Sequence, residues 1–144
     1  MRAPPRLQQR GFSLIELMVT IGILGIITAI AVPSYSTYIL QSHRTDAMRS
    51  LTSLRQALER CYSQNFTYVG CPAAPGTPPP IATPNGYYTI AYAPAATTYA
   101  IVATAVGNQT KDTNCASMQV NQAGLQASLN AGGTASTLTC WGAQ

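Results

Sequence analysis

GFSLIELMVTIGILGIITAIAVP, residues 11–33, is the segment that decides the fold. From Phe12 to Val32 it is apolar or glycine except for Ser13, Glu16, Thr20 and Thr28. Its uncharged part, residues 17–32, is sixteen residues long, and a relaxed span of a bilayer takes about 20 apolar residues. With residues 12–16 counted, the segment is long enough to cross a membrane as one helix.

The flanking charges predict the orientation of this segment. Arg2, Arg6 and Arg10 precede it, and no further Lys or Arg follows until Arg44. Because basic residues favour the cytoplasmic side, we expect the N-terminus in the cytoplasm and the rest of the chain outside. The apolar run ends in AIAVPSYSTY and continues into a helical pattern, so we expect it to be retained and not removed as a secretory signal.

Residues 34–62 have the pattern of an amphipathic helix. Their apolar residues recur mainly at three- and four-residue spacing: Tyr35, Tyr38, Ile39, Ala47, Leu51, Leu54, Leu58, Cys61 and Tyr62. A single helix from about Phe12 to Tyr62 would be roughly 75 Å long at a rise of 1.5 Å per residue, which is longer than a bilayer is thick.

The charged residues of this second half are expected on a wet helix face. Arg49 lies three residues after Asp46, and Glu59 lies four residues after Arg55, which are the spacings of helical ion pairs. The single histidine, His43, lies on the polar part of the helix and is expected to be solvated.

Beyond the helix, turns alternate with short strands. Residues 72–84, PAAPGTPPPIATP, hold six of the ten prolines and are expected to form a surface loop. Alternating patterns separated by turn residues predict strands at 86–93, 97–106, 117–120, 125–129 and 136–141. The predicted fold class is α+β: a long N-terminal α-helix packed on a small antiparallel β-sheet.

Composition limits the classes of function. The chain has 144 residues, enough for one domain, and only 8% are charged, about a third of the share in a soluble domain. The formal net charge is +4, yet from Ser63 to Gln144 the only charged side chains are Lys111 and Asp112. Direct binding of nucleic acid is not expected, because few groups there could neutralise phosphates.

No catalytic constellation is present. The four acids are Glu16, Asp46, Glu59 and Asp112, so residues 63–144 cannot supply a carboxylate pair. No serine or cysteine has an obvious base partner, and the glycines at 22 and 25 lie inside the apolar run. We therefore expect no enzymatic activity, no cofactor and no small-molecule substrate.

Four cysteines, an even number, follow an export or membrane signal: Cys61, Cys71, Cys115 and Cys140. This arrangement predicts two disulfides formed in an oxidising compartment, with three pairings open. A metal site is not expected, because zinc sites use close pairs such as C-x-x-C and none occurs here.

The hexapeptide Gly11-Phe12-Ser13-Leu14-Ile15-Glu16 resembles the class III signal of type IV prepilins. The resemblance implies that a prepilin peptidase in the inner membrane cuts between Gly11 and Phe12 and methylates the new N-terminus at Phe12. It also places three residues at positions typical of the family: the acidic Glu16, the glycine Gly25 and the proline Pro33.

Glu16 is costly in an apolar segment, by about 2.5–3.5 kcal/mol at the centre of a helix in lipid and less near its end. Cleavage before Phe12 would create a cationic amine one helical turn away, and the resemblance implies that Glu16 pairs with the amine of an adjacent subunit during assembly. Gly25 and Pro33 have two interpretations: close helix packing in the membrane, or a helix that loosens when the subunit enters a filament.

The resemblance extends to the rest of the chain less tightly. Of the three pairings we favour Cys61–Cys71, which closes a short loop after the long helix, and Cys115–Cys140, whose loop resembles the disulfide-bounded C-terminal region of many type IV pilins. Each bridge would add roughly 3 kcal/mol. The tail is most similar to the PilE group of minor pilins. It departs from that group at residues 125–128, so a surface role tied to that run is not carried over.

The resemblance implies a structural subunit, with a minor pilin favoured and a major pilin left open, of a type IV pilus that supports adhesion, twitching motility or DNA uptake. The alternatives are a pseudopilin of a type II secretion system and a pilin whose head binds DNA or a host surface directly. The implied partners are other pilins, the prepilin peptidase and the inner-membrane assembly platform.

The resemblance also divides the chain into three parts. Residues 1–11 are a cleaved leader, residues 12–33 are the transmembrane and assembly helix, and residues 34–144 are the amphipathic helix and disulfide-bonded head. The precursor is expected to cross the inner membrane once, with the N-terminus cytoplasmic and the head periplasmic, before it reaches the pilus at the cell surface.

Overall fold

The computed structural model describes residues 12–71 and 80–142. The expected leader, with Gly11, and most of the proline-rich loop lie outside the described residues. The chain divides into two compact units, residues 1–36 and 37–144. We call the second unit the head.

The long helix α1 comprises Leu14–Asn65, so its first part belongs to the first unit and its second part to the head. Within the first unit, residues 12–36 are all exposed, and Pro33 lies inside the helix. An exposed apolar surface of this size needs lipid or other subunits to cover it.

The head contains one antiparallel sheet whose five strands follow one another in chain order. The strands are β1 (Ile81–Ala82), β2 (Tyr88–Pro94), β3 (Tyr99–Ala105), β4 (Ser117–Asn121) and β5 (Gln126–Leu129). A 3-10 helix, Gly107–Lys111, connects β3 to β4, and a short helix α2, Thr137–Trp141, follows β5. The α+β class and its long helix on a small antiparallel sheet are confirmed.

The core lies between α1 and one face of this sheet. Strand β3 alternates strictly, and its inward residues are Tyr99, Ile101, Ala103 and Ala105. The helix contributes one apolar stripe at three- and four-residue spacing: Ala47, Leu51, Leu54 and Leu58. Each large side chain buried here contributes about 1.5–3 kcal/mol.

Two expectations about local structure are wrong. Residues 136–141 do not form an edge strand: residues 137–141 are helix α2, in which the amide of Cys140 donates to Ser136 O. Five residues are too few for periodicity to separate a strand from one helical turn. Within the expected proline-rich loop, β1 forms a two-residue edge strand, Ile81↔Ile90 and Ala82↔Thr89, at the sheet position where nearby prolines are tolerated.

Two disulfides hold the head. Cys61 is bonded to Cys71, with their Cα atoms 5.9 Å apart, and Cys115 is bonded to Cys140, with a Cα separation of 5.7 Å. These are the two pairs favoured from the sequence. The first bridge fixes the segment that follows α1, and the second ties α2 to the segment before β4.

Candidate functional site

The first unit presents an apolar helical surface that carries a single carboxylate. The large apolar side chains from Phe12 to Val32 are all more than half exposed, and Phe12 is 81% exposed. Glu16 lies in the first turn of α1, where the helix dipole favours a negative charge. One window of eighteen residues in this helix has a mean hydropathy of 2.4, so by length and composition it could cross a membrane.

The head contains a buried ion pair. Arg44 Nε lies 2.7 Å from Asp112 Oδ2, Arg44 Nη2 lies 2.9 Å from Asp112 Oδ1, and the two side chains are 7% and 4% exposed. Arg44 Nη1 also donates to the carbonyl of Thr139, at 2.9 Å. One guanidinium thereby ties α1 to the segment after the 3-10 helix and to α2.

A second polar cluster surrounds Gln109, which is 1% exposed. Its Nε2 donates to Leu40 O at 2.9 Å and to Tyr88 Oη at 3.0 Å, and its Oε1 lies 3.0 Å from His43 Nδ1. His43 Nδ1 therefore carries the proton, and the ring stacks on Tyr87 with centroids 3.6 Å apart. His43 is half-buried and not fully solvated as expected, because Gln109 and Tyr87 contact its ring.

The remaining acids of the head are also engaged or covered. Glu59 accepts hydrogen bonds from Tyr68 Oη at 3.0 Å and Tyr99 Oη at 2.8 Å. Asp46 is 6% exposed; its Oδ1 accepts from Asn85 Nδ2 at 3.0 Å, and its Oδ2 has no hydrogen-bond partner among the described residues. The expected ion pairs of a wet helix face do not form: the salt bridge found in the described residues joins Arg44 to Asp112.

The exposed charge of the head is consequently positive. Its acids are buried or hydrogen-bonded to tyrosines, whereas Arg49, Arg60 and Lys111 are exposed. Arg49 and Arg60 are eleven residues apart, about three helical turns, so they lie on one side of α1 at a separation of about 16 Å. The segments of the head outside the described residues add no charged side chain.

Burial also perturbs the tyrosines of the head. Burial raises the pKa of Tyr88 to about 12, with a smaller contribution from the nearby Asp112 carboxylate. Burial and the hydrogen bond to Glu59 raise the pKa of Tyr99 and of Tyr68. All three therefore keep their protons to a higher pH than an unfolded tyrosine, whose pKa is about 10.

We expect the head to lose stability as the pH rises from 10 to 12. Unfolded tyrosine ionises near pH 10 whereas Tyr88 stays protonated to about 12, so the folded state binds more protons and its stability falls by up to about 1.4 kcal/mol per pH unit for each such tyrosine. Urea unfolding at several pH values measures this slope. Tyr88→Phe should flatten it and Tyr35→Phe, at an exposed tyrosine, should not; equal slopes for Tyr88→Phe and the unaltered chain would contradict the prediction.

Comparison with known families identifies the chain. A family model described as "Type IV minor pilin ComP, DNA uptake sequence receptor" matches residues 33–119, more than half of the chain. The chain belongs to this family. A second model, the prokaryotic N-terminal methylation motif, matches residues 6–32 of the pilin. The prediction of a type IV pilin is confirmed. The PilE group suggested by the sequence and the matched family are both groups of type IV minor pilins.

Individual relatives match this chain over part of their length. The pilin is 46% identical over 54 residues to "Prepilin peptidase-dependent protein D" of Escherichia coli (strain K12), covering 38% of this chain and 37% of the relative. It is 39% identical over 80 residues to "Fimbrial protein EcpC" of Eikenella corrodens, covering 56% and 50%. The matched part thus spans between about a third and a half of these relatives.

A solved type IV pilin from Shewanella oneidensis is 28% identical, with a TM-score of 0.46 over 60% of this chain and 89% of that one. The family models carry the assignment without it. They place this chain in the type IV pilin family, and its N-terminal part carries the methylation motif and an apolar helix long enough to cross a membrane.

Most of the assembly residues suggested by the sequence occur together. Phe12, Glu16, Gly25 and Pro33 lie in the exposed first unit, and Gly11 falls outside the described residues. The basic surface of the head was missed, because a count of charges along the chain cannot show that the acids are covered. The burial of Asp46 could have been inferred in part from the sequence, since Asp46 directly precedes Ala47 on the face of α1 that packs against the sheet.

Proposed function

We propose that this chain is a minor subunit of a type IV pilus that serves DNA uptake, and that its head contacts DNA directly. Membership of the ComP family carries the proposal. The exposed charge of the head supports it, because Arg49, Arg60 and Lys111 face solvent while the acids of the head are engaged or covered. The sequence argument against DNA binding rested on the number of charged side chains after Ser63, and it took no account of which charges of the head are exposed.

Assembly would proceed through the first unit. The prepilin peptidase cuts between Gly11 and Phe12 and methylates Phe12, and the methylation motif over residues 6–32 supports this step. The carboxylate of Glu16 then pairs with the N-terminal amine of a neighbouring pilin, an interaction strengthened by the apolar surroundings. The precursor crosses the inner membrane once, with its head in the periplasm, and the assembly platform passes it into the fibre.

Gly25 and Pro33 would allow the helix to loosen in the fibre. Both residues lie within α1, and Pro33 cannot donate a backbone hydrogen bond to the preceding turn. Local loosening would let neighbouring apolar helices pack at different angles in lipid and in the fibre. A fibre map with unbroken helix from residue 25 to residue 33 would contradict this part of the proposal.

The test of DNA contact is the dependence of affinity on salt. The full chain in detergent micelles is titrated into a fluorescein-labelled duplex at several salt concentrations, because the logarithm of the affinity falls linearly with that of salt by about 0.9 for each phosphate neutralised. We expect Arg60→Gln and Lys111→Gln each to reduce this slope by about 0.9 if each contacts one phosphate.

The matched control is Gln64→Ala, at an exposed uncharged position on the same helix, which should leave the slope unchanged. Absence of DNA binding at low salt, with circular dichroism showing a folded head, would contradict direct DNA contact. The assignment to the pilin family would be unaffected, because it rests on the match of the chain to the family model.

A further inference from the structure

The segment that follows α1 exposes one aromatic side chain in an unusual conformation. Phe66 is 78% exposed, and its φ of 56° makes it the one non-glycine residue of the described chain with positive φ. Glycine or asparagine fits such a backbone with less strain than phenylalanine does. An exposed phenylalanine also adds no buried apolar surface, so neither local geometry nor packing in the head accounts for this side chain.

Its neighbours hold the backbone in place. The amide of Phe66 donates to Tyr62 O at 2.7 Å, which closes the helix, and the amide of Cys71 donates to Tyr68 O at 3.1 Å. The Cys61–Cys71 disulfide joins the two ends of the segment. Tyr62 stacks on Tyr68, with ring centroids 4.4 Å apart. The segment is therefore anchored on both sides of Phe66, and the phenyl ring is the part left in solvent.

The charged residues that precede Phe66 in the sequence favour one kind of partner. Arg60 is exposed in the last turns of α1, and residues 60–71 contain no acidic side chain. The preceding carboxylate, Glu59, is occupied by the hydroxyls of Tyr68 and Tyr99. An exposed cation six residues before an exposed aromatic ring, with no acidic side chain between them, suits a phosphate backbone that carries stackable bases.

We propose that Phe66 is a DNA-contact residue: its ring stacks on a base at an unpaired or kinked step while Arg60 neutralises a neighbouring phosphate. This inference rests on the proposed function and names the contact. Aromatic side chains stack on unpaired bases, and apolar side chains can wedge between the base pairs of a duplex. Such a contact adds affinity without adding salt dependence, since the ring is uncharged.

The test separates the ring from the fold. Phe66→Asn removes the ring and suits positive φ, so the variant should melt at or above the temperature of the unaltered chain. Its affinity for a single-stranded 20-mer carrying 2-aminopurine should fall by about 5- to 150-fold, which corresponds to one stacked base, at an unchanged salt slope. Phe66→Asn should also lose the quenching of 2-aminopurine fluorescence that the unaltered chain causes when it binds.

Two variants serve as controls. Phe66→Tyr retains an aromatic ring and should bind within about threefold of the unaltered chain, consistent with stacking on any aromatic face. Val69→Ala removes another exposed apolar side chain of the same segment and should leave binding and quenching unchanged.

The outcomes distinguish the two proposals. If the unaltered chain and Phe66→Asn bind DNA equally, the role of Phe66 is overturned and direct DNA contact by the head stands. If neither binds, both are overturned. If Phe66→Asn binds DNA normally but enters fibres poorly, the ring contacts a neighbouring pilin and this inference is wrong.

Discussion

Replacing Asp112 with alanine should lower the free energy of unfolding of the head by about 3–5 kcal/mol, because it leaves a buried guanidinium without its counter-charge. Arg44 and Asp112 are both buried, and their two hydrogen bonds are 2.7 and 2.9 Å long. Urea unfolding of the full chain in micelles, followed by near-ultraviolet circular dichroism, measures the loss.

The neighbouring Lys111 supplies a matched control, since Lys111→Ala removes an exposed charge and should change stability by less than about 0.5 kcal/mol. The double replacement Arg44→Met with Asp112→Leu should recover most of the loss, because an apolar pair avoids the desolvation of both charges. A loss below about 1 kcal/mol for Asp112→Ala would mean that the pair does not hold these elements together.

Replacing Glu16 with leucine should leave membrane insertion intact and strongly reduce incorporation of the subunit into fibres. Insertion should be unimpaired, since a carboxylate in lipid is costly. Loss of the proposed charge-assisted hydrogen bond to the N-terminal amine of a neighbour, about 1.5–3 kcal/mol, should reduce incorporation about tenfold or more. Quantitative immunoblots of membranes and sheared fibres from the same cells measure both.

Thr20→Val is the control for this change, because it alters a polar residue of the same segment without removing a charge. Its incorporation should equal that of the unaltered chain. Normal incorporation of Glu16→Leu, with the leader correctly removed, would show that assembly does not use this carboxylate.

The main elements of the fold could be predicted because their signals are local. The apolar run after Phe12 and the three- and four-residue spacing from Tyr35 onward both lie within α1. The alternation of residues 99–105 predicts β3 in the same way, since one face of the strand packs on the core. The strand predicted at residues 136–141 was wrong for the opposite reason, because this segment is held by long-range contacts. Cys140 is bonded to Cys115, and Trp141 contacts β5.

The exposed charge of the head could not be predicted, because the acids of the head are buried against residues that are distant in sequence. Asp112 lies 68 residues from Arg44, and Asp46 meets Asn85, 39 residues away. The spacing of charges along α1 instead suggested exposed ion pairs, because spacing within one helix does not show which of its residues contact distant parts of the chain. Phe66 was equally hidden, since positive φ at a phenylalanine has no signature in the sequence.

The most direct test of the account is mass spectrometry of the N-terminal peptide of this chain in sheared fibres and in membranes, with its amount measured relative to the other pilins. The account predicts a chain that begins at methylated Phe12 and is present in fibres at a low level. A chain that keeps residues 1–11, or a processed chain found only in membranes, would contradict its role as a subunit of the pilus.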